Sequence, residues 1–280
     1  MTILLNKPNI VGVWLKAMDH LRSSAHHEDF NVILDIDAPL DVSDTDRAVG
    51  ARVNRFLTGH GVQALHTVAN TIFPNDLYRR YGARGVFEHY PEQVYPRIRK
   101  CRKNSWGTYV HRMVRRSDPA GNVVNPLRNI VSRLRTEITG GGNPKRARYE
   151  LNLVDPFIDL STSDPTLPGD GRAMGGPCLS HLSFKLREEG SVVALTAFYR
   201  SHYYVERALG NLLGLSNLLN FVAVESGLQP GPLTCISSMA RIDCEHWSFS
   251  EVDRLLGECK DLLAVGSPVA VPASNAVNPT

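Results

Sequence analysis

Apolar positions along this chain recur with two periods, and each change of period marks an element. Val11, Trp14, Leu15 and Met18 fall at i, i+3, i+4 and i+7, which predicts a helix over 10–21 with one apolar face. Residues 30–37 alternate and read as a strand that Pro39-Leu40 breaks. Ser43-Asp44-Thr45-Asp46 then offers an N-cap for a helix over 48–58, which Gly59-His60-Gly61 ends. A short helix over 62–69 follows. Asn125-Pro126 opens another over 127–139, with Leu127, Ile130, Val131, Leu134 and Ile138 on one face. Strands are expected over 145–153, from Leu179 to Phe184, and over 191–197. A long apolar helix carrying Asn211 comes next and stops at Gly227-Leu228-Gln229-Pro230-Gly231. Ser248-Phe249-Ser250-Glu251 has the form of a capping box for a last helix, to residue 263.

The chain has 280 residues, 42% of them hydrophobic and 21% charged, as in an ordinary globular protein. No internal repeat or linker divides it, so a single domain over 1–280 is expected, with a mobile tail from about 265. A net charge of +3 argues against a general nucleic-acid binder but allows a local anion site. The basic stretch 78–116, with Tyr81, Tyr90 and Tyr95 interleaved, has no RNA-binding signature and reads as a solvated or dimer-facing surface. No apolar run reaches the roughly 18 residues of a membrane span, and no secretory leader is visible. Five cysteines without tight metal spacing fit a reduced, cytoplasmic chain without a metal.

Cys178 is the candidate nucleophile. A thiolate needs local positive charge to form near neutrality, and Arg200 can supply it while gripping a phosphate bidentately. Ser201 adds a hydroxyl donor. Lys145 and Arg146 read either as a solvated strand end or as further cations for a nucleoside monophosphate. The planar amide of Asn211 matches the O4 and N3–H edge of uracil better than the edge of cytosine. Arg241 and Asp243 alternate, so both would face one cavity on a strand, or else pair with each other. His181 and His202 are candidate acid/base groups or ordinary core and edge histidines, and Arg22 a loose candidate for a phosphate contact.

The Cys, the Arg-Ser pair, the Asn and the Gly-Leu-x-Pro-Gly stop together resemble the thymidylate synthase family, most strongly over 176–231. Trp106-Gly107-Thr108-Tyr109 resembles the segment whose tyrosine lines that family's active site, which adds Tyr109 to the catalytic candidates. The resemblance implies an α+β fold, a mixed sheet with helices on one face and a twofold partner on the other. It also implies that Lys145 and Arg146 clamp the phosphate of the partner subunit's nucleotide. In the family's reaction the Cys adds to C6 of a pyrimidine nucleoside monophosphate, and C5 takes a methyl or hydroxymethyl unit from 5,10-methylenetetrahydrofolate.

Other positions depart from the family. Arg52 stands where the resemblance implies a catalytic glutamate, and Phe73 and the stretch around Asp76 where it implies folate-stacking tryptophans. Tyr203 falls on the pterin-contacting aspartate, and Arg241 and Asp243 on the residues that hold the sugar hydroxyl. Three functions therefore compete. They are a C5 one-carbon transferase in a specialised pathway, a Cys-dependent nucleotide enzyme with a non-folate second substrate, and a nucleotide-binding homologue without turnover.

Overall fold

The computed structural model describes residues 2–101, 108–118, 120–140, 143–154 and 177–265. In chain order the elements are β1 (Ile3–Lys7), α1 (Ile10–Ser23), β2 (Glu28–Ile36), α2 (Asp44–Gly59), α3 (Leu65–Ile72), α4 (Asn75–Arg84), α5 (Tyr95–Ile98), α6 (Tyr109–Val114) and the small hairpin β3 (Arg116–Ser117) and β4 (Val123–Val124). Then come α7 (Pro126–Thr139), β5 (Tyr149–Asn152), β6 (Leu179–Arg187), β7 (Val192–Tyr199), β8 (His202–Tyr203), α8 (Leu209–Ser226), β9 (Gln229–Arg241) and α9 (Phe249–Val265). A wide helical turn, Tyr204–Ala208, leads into α8.

The fold is α+β around one mixed sheet. Its strands run in the order β1-β2-β9-β7-β6-β5, with β8 beside β9. β1 is parallel to β2 and β7 parallel to β9, while β2 to β9, β7 to β6 and β6 to β5 are antiparallel. Helices α1, α7 and α8 pack on one face and bury Leu34, Leu195, Leu233 and Cys235 beneath them. On the other face Leu4, Ile33, Ile236 and Phe198 stand side by side in register, and all four stay partly or fully exposed.

Most predicted elements form, and their caps explain the boundaries. Ser43 and Asp46 make the reciprocal capping box of α2, and the Asn125 side chain accepts from Arg128 N at 2.9 Å to start α7. Ser248 and Glu251 cap α9 in the same way. The stop after α8 differs from expectation. The helix ends at Gly227 alone, at φ 76°, and β9 begins two residues later with Pro230 inside it. Proline is tolerated there because β2 pairs with β9 only from Leu233 onward, so the first residues of β9 lie along an open edge. The strand expected over 145–153 is shorter, and Lys145 and Arg146 precede it. The segment 155–176, the tail after 265 and Trp106-Gly107 lie outside the described residues.

α8 is apolar enough in composition to span a membrane, counted with its leading turn as Tyr204–Ser226. Here it runs through the core, with Leu212, Leu215, Leu218, Leu219 and Phe221 fully buried. Gly210 and Gly214 bring it against α3. A Cβ at Gly214 would sit 2.6 Å from the Ala69 carbonyl oxygen, and one at Gly210 would sit 2.7 Å from the Val68 Cβ. This close approach sets α3 against the same end of the sheet as Cys178.

Candidate functional site

The antiparallel pair β6 and β7 places the thiol and its cation. Leu179 pairs with Tyr199, so Cys178 and Arg200 meet just past the paired ends, where Arg200 N donates to the Cys178 carbonyl at 2.9 Å. The Arg200 side chain also hydrogen-bonds the thiol. From α6, the Tyr109 hydroxyl accepts from Cys178 N at 3.0 Å and from Leu179 N at 3.3 Å. These contacts fix the main chain that carries the sulfur.

Cys178 opens onto a cavity of about 300 Å³, at the small end of ligand sites. Tyr109, Ser201 and Asn211 line it too, so the structure gathers four of the predicted site residues in one place, with Arg200 on the sulfur. Burial pushes the Cys178 thiol up, and the guanidiniums of Arg200 and Arg207 oppose that. Burial also raises Tyr109, to about 12, with the nearby thiol adding to the effect. Its phenol therefore stays protonated at neutral pH.

Asn211, 6% exposed, is held from behind. Its Nδ2 donates to His202 Nε2 at 3.1 Å, and His202 Nδ1 lies 3.0 Å from Ser237 Oγ, which meets Tyr204 Oη at 3.0 Å. Burial lowers His202 to about 3, so the ring is neutral, and its ring stacks on Tyr199 at 4.0 Å. Asn211 keeps its oxygen and one N–H for a ligand. His202 thus belongs to the site, whereas His181 does not. His181 bridges Asn152 and Glu150 on the strand surface.

The remaining candidates lie elsewhere. Asp243 accepts from Val205 N at 2.9 Å and Glu206 N at 3.1 Å, and so caps the turn that leads into α8. Burial raises its carboxyl to about 6. Arg241 does not line the cavity but donates to Oη of Tyr203, which does, at 2.6 Å with its guanidinium over that ring. Lys145 and Arg146 are exposed and away from the cavity. Arg22 pairs with Asp253 on α9.

No family model matches the chain. Proteins of Methanosarcina mazei and Methanosarcina barkeri named "Putative thymidylate synthase" are each 37% identical to it over 125 residues, 41% of this chain and 57% of theirs. A protein of Methanococcoides burtonii with the same name is 41% identical over 75 residues. Over these stretches the chain is similar to these thymidylate synthase-named proteins. It spans 57% of the length of the Methanosarcina relatives. The thymidylate synthase of T4 phage is a structural neighbour with a TM-score of 0.46 and 15% identity, over 89% of this chain and 79% of that one.

The positions that depart from the resembled family have clear places. Arg52 pairs with Glu258, joining α2 to α9, and does not line the cavity. Phe73 is fully buried in the core, 4.9 Å from Phe221 and 5.9 Å from Tyr78, and Asp76 bonds Asn70. Neither opens a face to the cavity, so the residues present at these positions do not fit a stacked folate. No group of metal-ligating side chains occurs among the described residues.

Sequence reasoning missed Arg207, Gln63, Thr71, Thr108 and Tyr199, all of which line the cavity. Arg207 had a signal, since it precedes Asn211 by one helical turn. It donates to Gln63 Oε1 at 2.6 Å and pairs with Glu206 at 2.7 Å. Gln63 and Thr71 had none, because a loop residue and a helix threonine carry no pattern of their own.

Proposed function

We propose that this chain is a one-carbon transferase acting at C5 of a uracil-type nucleoside monophosphate. One observation carries the reading. A thiol bonded by a guanidinium opens onto a cavity of about 300 Å³ that also presents a pre-oriented carboxamide. The Cys178 thiolate adds to C6, forming the S–C6 bond, and the electrons of the 5,6 double bond move to C5 and O4. The remaining oxygen and N–H of Asn211 pair with N3–H and O4 and hold that charge in a water-poor site. Arg200 and Ser201 bind the phosphate. C5 is then nucleophilic and takes the one-carbon unit; its proton passes to solvent, and the electrons of that C–H bond re-form the 5,6 double bond and expel the Cys178 thiolate.

Methylenetetrahydrofolate is the donor that the resemblance implies, but buried Phe73 and the Asn70-bonded Asp76 offer it no stacking face. The working unit is proposed to be a homodimer, in which Lys145 and Arg146 reach the partner's phosphate. The apolar row Leu4, Ile33, Ile236 and Phe198 across the uncovered sheet face supports that arrangement. Tritium release from C5-labelled uridine and deoxyuridine monophosphates tests the reading. Release that is abolished by Cys178→Ser is expected, and running the assay with and without methylenetetrahydrofolate identifies the donor. Release without the folate would replace the donor, and no release under either condition would overturn the chemistry.

A further inference from the structure

We propose that the Tyr199 hydroxyl is a further catalytic group, the donor that this cavity turns toward the pyrimidine beside Cys178. The inference rests on the function proposed above and adds a residue to it. Tyr199 is fully buried, yet its hydroxyl has no hydrogen-bond partner among the described residues. Buried polar groups are almost always satisfied, and an orphan in a ligand cavity points to the ligand as its partner. Tyr199 lines the cavity, and its phenol interacts electrostatically with the buried thiol of Cys235 first, and then with Tyr109 and Cys178 of the site.

Two features fix the ring. It ends β7 next to Arg200, and it lies flat on His202, 4.0 Å away with 5° between the planes. The hydroxyl therefore cannot swing away to find another partner without breaking that stack. Burial holds the phenol well above its ordinary range, so it remains a donor at neutral pH. A fixed neutral donor in a dry site suits the oxygen that gains charge when sulfur adds to C6. Neither the proton nor the charge leaves the site in this step. The hydroxyl shares its proton with O4 while the S–C6 bond forms and takes it back when the bond breaks.

The test is Tyr199→Phe in the full chain, which keeps the ring and the stack. C5 tritium release is expected to fall at least about a hundredfold. Affinity for the uracil nucleotide, measured by equilibrium dialysis, is expected to fall about five- to tenfold, the scale of one hydrogen bond. Tm without nucleotide is expected to stay level or rise, because an unpartnered buried hydroxyl is removed. A hydroxyl with a merely structural role would lower Tm instead. Release and affinity both within about twofold of the parent chain overturn the proposal. If the parent chain releases no tritium, the chemistry proposed above fails, and the affinity change alone decides whether Tyr199 meets the base. Should the Phe variant not fold, difluorotyrosine at 199 keeps the shape and alters the acidity, and unchanged release and affinity then count against the proposal.

Discussion

The carboxamide of Asn211 and the imidazole of His202 lie 3.1 Å apart, both almost wholly buried, with the amide as donor. The contact makes the orientation of Asn211 depend on a histidine that must stay neutral. It also makes that histidine a pH sensor of the fold.

The folded value of His202 is about 3 against 6.5 for the free side chain. Because the folded value is depressed, the neutral ring's contribution is complete above 6.5 and is lost as pH falls from 6.5 toward 3. The slope from this group is at most about 1.4 kcal/mol per pH unit. His202→Phe should flatten the acid limb of stability, measured by urea unfolding across that window. It should also leave the Asn211 N–H unsatisfied, at about 1–3 kcal/mol.

Tyr109→Phe removes the acceptor for two main-chain N–H groups at Cys178 and Leu179. A loss of about 1–3 kcal/mol is expected from thermal unfolding, with a fall in C5 tritium release. Unchanged stability would show that these two groups find another acceptor.

The rate of Cys178 alkylation by iodoacetamide should reach its midpoint above the pH of an ordinary thiol, since burial outweighs the two guanidiniums. Arg200→Met and Arg207→Met should each move the midpoint higher still. Mass spectrometry of the labelled peptide reads this directly.

Asp243 bonds Val205 N and Glu206 N at the start of the turn into α8. Asp243→Ala should cost about 1–2 kcal/mol of stability, as loss of a helix cap does, and Asp243→Asn less. The carboxyl is raised to about 6 from 3.8, so its contribution is complete below 3.8 and is lost as pH rises through 6. The advantage of Asn over Ala should therefore persist at neutral pH, and urea unfolding of the two variants compares them.

Arg52→Glu restores the residue type that the family resemblance implies, but the side chain would face Glu258 rather than the cavity. Stability should fall by about 0.5–1 kcal/mol in thermal melts, with no gain in tritium release.

The sequence carried the elements because their signals are local. Ser43 with Asp46 and Asn125 ahead of Pro126 each mark a helix start within one turn, and alternation marks β6 and β7. Cys178, Arg200, Ser201 and Asn211 were singled out through the family resemblance, and the strand ends and the start of α8 bring them together around one cavity. Asp243 and Arg241 were harder to place. Their alternation suggested a shared cavity, but β9 stops at Arg241 and the chain then turns Asp243 under α8. β1 also escaped notice, since a short edge strand of mixed polarity has no period to detect. Tyr199 was hidden because an orphan hydroxyl is a property of surroundings, which no single sequence displays.

One bond carries a consequence for how such a chain can diverge. The amide of Arg200 is tied to the carbonyl of Cys178, so the thiol and the guanidinium are spaced by a main-chain hydrogen bond at the strand ends. Substitutions at Arg52, on α2, and at Phe73, just after α3, would leave that hydrogen bond at its length. A change of the residues around the cavity can therefore leave the spacing of Cys178 and Arg200 as it is.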